Sequence, residues 1–378
     1  MAEDQARTVA VVNAFKAHTG SSSVARSYFD ALRRQDLRVN WYQCISSRDR
    51  NSYDHLGVDI DGYKVFRDDL NLVFNSLFVF PRKVGRLKES ITILTDPVLL
   101  GAAARLGNSV LIVHDLRELV DHRRSAVAGA YFRSLFRRLN EVKHVICDSD
   151  ATRQELLRFY QPVAPVDVIS PCSRLVGQPV EHIQRSLARM ASARTVNLLC
   201  IAVDRPYKNV SLFYKLAKLL EAPRGGWNFR FRLISQLGPE STREIGELGS
   251  SNLEVIPAMT DVSSAYEQAD VLIHPSLLEG FGLPPVEAMQ FGIPIIASDV
   301  PCLREVIGRG GLLVNPEDTE RWVSAVIEMT DPSIYLDRAR SSADRGRQFT
   351  PEAFEARLRT WIDWRLPSFA PSIGGPTL

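Results

Sequence analysis

The chain opens with a short apolar run over 8–14, TVAVVNA, that ends in polar residues and predicts a buried strand. Small residues follow at 18–23, HTGSSS, and then helical spacing over 24–34 through Val24, Tyr28, Ala31 and Leu32. Strand, small-residue loop and helix in that order open a parallel α/β unit. The alternation continues. Runs at 39–44, 90–94, 110–113, 144–147 and 166–169 predict strands, and 126–139 and 151–159 predict helices, the second capped by Asp148, Ser149 or Asp150. Residues 51–69 are polar and irregular.

A polar stretch over 177–193 interrupts the pattern and reads as a linker or an excursion. At 196 the alternation restarts. Strands are predicted at 196–203, 229–234, 253–256, 271–274, 294–297 and 311–314, and helices at 210–220, 262–267, 285–290, 319–329 and 351–364. Two successive runs of this kind predict an α/β fold of two doubly wound Rossmann-like domains facing each other across a cleft. Ligands then sit outside the carboxyl ends of the strands. The expected division is 1–180, 181–350, a terminal helix over 351–366 and a flexible Pro-, Gly- and Ser-rich tail over 367–378.

Composition changes this picture little. The 378 residues suit two domains. A net charge of +2 gives no electrostatic case for nucleic acid. The five cysteines are scattered and form no CxxC pair, so zinc and redox motifs are not supported. Residues 1–7 are polar and lack the apolar core of a secretion signal, and no apolar run reaches the ~18–20 residues of a membrane span. A cytoplasmic protein is expected. Residues 121–144 interleave Arg123, Arg124, Arg133, Arg137, Arg138 and Lys143 with Tyr131, Phe132, Leu135 and Phe136. That segment is either a basic amphipathic helix touching anionic lipid at the inner face of the cell membrane, or an ordinary helix with one solvated face.

The most informative stretch is 274–298, HPSLLEGFGLPPVEAMQFGIPIIAS. A strand ends at His274, a glycine-containing loop follows, and Pro284 and Pro285 open a helix. Gly282 permits close approach to the amides at the helix start, which makes an anion site. Glu279 and Glu287 flank it, placed to accept hydrogen bonds from sugar or ribose hydroxyls. Two further loops carry candidate chemistry. AVDRPYKN at 202–209 offers Arg205 and Lys208 to a diphosphate. LIVHDL at 111–116 ends a buried strand in His114 and Asp115. A DxD-like Asp148-Ser149-Asp150 reads as a helix cap rather than a metal motif.

The 274–298 stretch closely resembles the E-x7-E signature of glycosyltransferase family 4, and its continuation PIIASDVPCLREVIGRGGLLVNPED resembles that of the family. The resemblance implies a GT-B fold, with a retaining, metal-independent transferase that uses a nucleotide-diphospho-sugar as substrate and needs no cofactor. GDP-mannose is the first donor to test, with UDP-sugars open; a glycan or lipid-linked hydroxyl is the implied acceptor. By the same resemblance, Glu279 contacts donor-sugar hydroxyls, Glu287 the ribose, and the amides of Phe281, Gly282 and Leu283 the diphosphate. Lys208 and Arg205 stabilise the leaving group, and His114 positions a sugar hydroxyl. Gly20 stands where relatives carry paired glycines near the donor phosphate or the acceptor. Glu305 is expected to be structural. The rival readings are a non-catalytic nucleotide-sugar-binding subunit and a sugar-nucleotide epimerase or phosphorylase on the same fold.

Overall fold

The computed structural model describes residues 8–14, 20–35, 37–46, 64–68, 75–120, 126–257 and 262–367. Packing divides the chain into two compact units, residues 1–172 with 351–378, and residues 173–350.

The first unit holds a parallel seven-stranded sheet in the order β3-β2-β1-β4-β5-β6-β7. Its strands are β1 (Thr8–Asn13), β2 (Arg38–Ser46), β3 (Lys64–Asp68), β4 (Ile91–Leu94), β5 (Ser109–Val113), β6 (His144–Cys147) and β7 (Val166–Val168). β1, β4 and β5 are nearly unbroken apolar runs with every residue but Thr8 buried, as strands covered on both faces must be. Chain order reverses between β1 and β4, which makes their carboxyl ends the switch point where ligands enter such sheets. The Pro351–Arg365 helix belongs to this unit. Phe354 meets Tyr28 edge-on with ring centroids 4.9 Å apart, and Arg365 clasps Asp167 of β7 at 2.6 and 2.8 Å.

The second unit repeats the plan with six parallel strands in the order β10-β9-β8-β11-β12-β13. They are β8 (Thr195–Ile201), β9 (Asn228–Ile234), β10 (Leu253–Ile256), β11 (Val271–His274), β12 (Ile295–Ser298) and β13 (Gly311–Val314). Here the order reverses between β8 and β11. Trp322, Tyr214, Tyr335, Phe213, Phe229 and Phe231 are fully buried around this sheet.

Several sequence expectations are corrected. The polar stretch at 177–193 is a helix, Pro179–Ala193, opened by its proline; His182, Ile183, Ser186 and Met190 are buried on one face among exposed charges. Helices Pro239–Leu248, Pro301–Ile307 and Pro332–Gly346 were not expected, yet each begins at a proline. Asp331 caps the last by accepting from the amides of Ser333 and Ile334. β3 lies inside the stretch read as irregular. The first helix spans Gly20–Arg33, so Gly20 and the three serines after it are helical rather than loop. His18, most of 51–69, residues 121–125 and the tail from 368 lie outside the described residues. Among the described residues no helix is long and apolar enough to cross a membrane.

Candidate active site

The switch point of the second sheet explains how residues 71 positions apart meet. β8 and β11 are paired neighbours, with Val271 opposite Leu198 and Leu272 opposite Leu199. The loop after β8 carries Arg205 and Lys208; the loop after β11 carries Glu279. A backbone hydrogen bond from Leu277 N–H to the Tyr207 carbonyl (2.7 Å) ties the two loops together. Asn209, with φ of 50°, turns the chain into the Val210–Leu219 helix directly after Lys208.

The result is a compact charged cluster. Lys208 Nζ lies 2.6 Å from Glu279 Oε1, and His274 Nε2 lies 2.8 Å from the same oxygen. Side-chain exposure is 15% for Lys208, 9% for Glu279 and 2% for His274. Burial pushes the Glu279 carboxyl up, but the Lys208 ammonium, together with His274, outweighs it and holds the group well below the usual carboxylate range. Arg205 is exposed beside this cluster in sequence, at the start of the Pro206–Lys208 turn. Its neighbour Asp204 accepts hydrogen bonds from Gly238 N–H (2.7 Å) and Ser241 Oγ (2.9 Å), which secures the loop from beneath.

Gly282 precedes the Leu283–Gln290 helix with φ of 94°, a conformation that disfavours any other residue. A Cβ there would also sit 3.0 Å from Leu303 Cδ2. Because Pro284 and Pro285 have no N–H and the Val286 N–H donates to the Gly282 carbonyl, the amides left at this helix start are those of Phe281 and Gly282 in the loop and of Leu283 at the first helical position. Phe281 is buried, packs edge-on to Phe349 and accepts from Cys302 Sγ through its carbonyl. Glu287, one turn into the helix, receives the Tyr266 hydroxyl on Oε2 at 2.7 Å. Burial raises the Glu287 carboxyl above its ordinary value, and the Tyr266 hydrogen bond only partly opposes this. Tyr266 is itself locked, stacked on Phe291 at 5.5 Å, with its carbonyl accepting from His182 Nε2. Sequence reasoning missed both Tyr266 and His274. His274 was readable as the last residue of a buried strand at the sheet's carboxyl edge; Tyr266 carried no such signal.

In the first unit, the register pairs Val113 with Cys147, so the next residues, His114 and Asp148, emerge side by side from neighbouring strands. His114 Nδ1 lies 2.7 Å from Asp148 Oδ2. Asp115 instead accepts from the Arg117 backbone N–H (2.9 Å) and forms an ion pair with its guanidinium, Nε at 2.7 Å, which forms a local turn. Ser149 is the helix cap expected from sequence, its Oγ accepting from Thr152 N–H, and Asp150 pairs with Arg153 at 2.5 Å. The DxD-like tripeptide therefore spends all three of its side chains on internal contacts. Among the described residues no group of three or more His, Cys, Asp or Glu side chains is arranged to hold a metal. Gly20 is the exposed first residue of its helix. The backbone carbonyl of Glu305 accepts from Arg345 at 2.6 Å. A concavity of about 570 Å³ in the second unit lies along β8, β9 and β10, lined by Asn197, Arg230, Arg232 and Glu254; Lys208, Glu279 and Glu287 do not line it.

Residues 195–331 match the family described as glycosyl transferases group 1. O-antigen chain mannosyltransferase RfbU of Salmonella typhimurium is 28% identical over 230 residues, covering 58% of this chain and 60% of that protein. An MMP alpha-(1->4)-mannosyltransferase of Mycolicibacterium hassiacum is 34% identical over 162 residues, 40% of this chain and 38% of that protein. The chain thus aligns with roughly two fifths to three fifths of the length of these relatives. Among solved structures, sucrose-phosphate synthase from Thermosynechococcus elongatus superposes with a TM-score of 0.76 at 15% identity, covering 96% of this chain and all of that one. HepE from Anabaena, in complex with UDP and glucose, gives 0.75 at 15% identity, over 94% of this chain and 99% of that one. Family match and fold agree: the chain carries a group 1 glycosyltransferase domain, and its fold is GT-B.

Proposed function

We propose that the chain transfers a hexosyl unit, with mannose the first choice, from a nucleotide-diphospho-sugar to a hydroxyl of a glycan or lipid-linked acceptor. The observation that carries this reading is the Lys208–Glu279 ion pair at the sheet switch point, followed within three residues by the Gly282-led helix start. The same face then offers a cation, an anion and loop amides, the three elements that a sugar diphosphate requires. The names of the mannosyltransferase relatives support the choice of sugar, and the UDP and glucose bound to HepE support the donor class.

In this reading the amides of Phe281, Gly282 and Leu283 bind the diphosphate. Lys208 and the exposed Arg205 stabilise the charge that develops on it as the glycosidic bond breaks, a role that needs no metal. Glu279, held as an anion, accepts from donor-sugar hydroxyls; Glu287 accepts from the ribose. The transfer proceeds with retention, the leaving phosphate taking the acceptor's proton on the same face. Peripheral membrane contact through 121–144 and a donor contact at Gly20 belong to the same reading.

Calorimetric titration with GDP, UDP, ADP and their sugar conjugates, without added metal, tests it. One nucleotide should bind, and Glu287→Ala should weaken it. Folded protein that binds none of the panel overturns the donor site; binding with no transfer to any acceptor favours a non-catalytic subunit.

A further inference from the structure

We propose that Asp148 is the positioning residue of His114: its buried carboxylate holds Nδ1, fixes the plane of the imidazole and leaves Nε2, itself buried, as the ring atom to meet a substrate hydroxyl. The proposal deepens the glycosyl-transfer reading, since it assumes that His114 meets a sugar.

The geometry is set by the sheet rather than by flexible side chains. β5 and β6 run in register up to Val113 and Cys147, and each strand then delivers one member of the pair. The backbone continues the ladder, with Asp148 N–H donating to the Val113 carbonyl at 3.4 Å. Side-chain exposure is only 10% for His114 and 3% for Asp148. A carboxylate so buried requires a partner, and its second oxygen, Oδ1, has none among the described residues. Asp148 is thus committed to His114. A ring nitrogen engaged in this way determines what the other nitrogen presents.

The surroundings reinforce the pairing. His114 is faced by Asp148, Asp115 and Asp96. Burial pulls its pKa down, but the attraction of these carboxylates, Asp148 first, holds it above the ordinary histidine value. Burial raises Asp148, countered by His114. The buried Tyr28 hydroxyl, from the Gly20–Arg33 helix, senses both Asp148 and Arg357 of the Pro351–Arg365 helix. Most of this charge is carboxylate, so it favours an imidazolium whose Nε2–H donates to a sugar oxygen. The charged form prevails below the raised value and is lost as pH climbs through it.

The test pairs a ring titration with kinetics. Imidazole resonances of the seven histidines are followed by NMR against pH in the full chain, with His114→Gln assigning the ring of interest. The wild-type ring should titrate above the ordinary histidine range, and Asp148→Asn, which keeps the shape but removes the charge, should move it down. An unmoved titration overturns the pairing. In the transfer reaction Asp148→Asn should lower kcat/KM about tenfold and Asp148→Ala about a hundredfold, the alkaline limb moving to lower pH with the ring. Asp150→Ala, which removes the contacts to Arg153 and Gln154 and leaves the His114–Asp148 pair in place, should leave both unchanged. A shifted ring with an unshifted limb overturns the positioning role. The ring titration needs no substrate, so a chain without transferase activity sinks the proposed function while the pairing is still decided.

Discussion

Glu279 and Glu287 stand eight positions apart in one motif, and their carboxyls are shifted in opposite directions. Glu279 is met by an ammonium and an imidazole on a single oxygen, and its carboxyl is held far below its ordinary value despite burial. Glu287 is buried as deeply but has only the Tyr266 hydroxyl against that burial, and its carboxyl stays above the ordinary value. The cause is topological. Glu279 hangs in a loop at the switch point, where a cation from the β8 loop reaches it; Glu287 lies inside a helix, against a core tyrosine. The first is a permanent anion assembled by the fold. The second is a carboxyl whose charged form burial disfavours. Their linkage to pH therefore runs in opposite senses. The stabilisation tied to Glu279 is present above the unfolded carboxylate value and is lost as pH falls through its depressed one. That tied to Glu287 is present below the unfolded value and is lost as pH rises through its raised one.

Removing the cation breaks the comparison hardest. Lys208→Ala should leave Glu279 an anion supported by His274 alone. Loss of one donor to developing transition-state charge lowers turnover by about 10²–10³. Stripping one partner from a buried pair costs about 3–5 kcal/mol, and less here because Lys208 is partly exposed. Turnover and the denaturant midpoint measure the two effects. Lys208→Ala combined with Glu279→Gln should recover stability but not turnover. A single variant with normal stability would show that Lys208 does not set the state of Glu279.

Glu287→Gln should do the reverse. Hydrogen bonds to a charged acceptor contribute about 1.5–3 kcal/mol, so nucleotide affinity should fall about tenfold to a hundredfold. Stability should hold or rise, because a buried carboxyl above its ordinary value gains nothing from its charge. Calorimetry and a thermal scan on the same sample separate the two. A large loss of stability with intact nucleotide binding would reverse the assignment of the two glutamates.

How much of this was legible in the chain follows from where each contact is made. The strands flanking both switch points read clearly, because parallel strands buried on both faces are continuous apolar runs. Glu279, Gly282 and Glu287 sit on one short segment, so their spacing was visible. Lys208 was visible as chemistry, but its partner was not, since the 2.6 Å contact depends on β8 lying beside β11. The same holds for Asp148. The tripeptide around it offered a helix cap, and Ser149 is that cap, yet Asp148 turns to the neighbouring strand because of a register no local pattern encodes. Tyr266 escaped because a tyrosine on a short helix reads as core, and its ring indeed is core, stacked on Phe291; only the hydroxyl has a polar task. The Pro332–Gly346 helix escaped for a different reason. Its Asp331-Pro332 start signal was present, but a helix so rich in Arg and Asp shows little apolar stripe.

Tyr266→Phe sharpens the comparison more gently. Its hydroxyl lowers the Glu287 carboxyl against the larger effect of burial, so its loss should raise that group further. Nucleotide affinity in the wild type should fall as pH drops through a value above the ordinary carboxylate range, and in Tyr266→Phe that limb should move to higher pH. At neutral pH the loss of one hydrogen bond, about 1 kcal/mol, predicts about fivefold weaker binding. Glu279-dependent turnover at saturating donor should hardly change. An unmoved limb would mean that Glu287 does not govern binding.

The smallest effect is expected from the residue that separates the two glutamates. Gly282→Ala forces a side chain into a backbone of φ 94° and a Cβ to 3.0 Å from Leu303. The left-handed conformation costs about 1–2 kcal/mol for a residue other than glycine. Leu303 Cδ2 is the end of a flexible side chain and has room to yield, so the strain should stay near that range. Neither carboxyl loses a partner, since Lys208, His274 and Tyr266 all approach from other elements. The thermal midpoint should therefore drop modestly, while the pH dependence of nucleotide binding stays as in the wild type. A shifted pH limb in Gly282→Ala would show that the turn itself, and not the cation and tyrosine arriving from elsewhere, keeps the two carboxyls apart in character.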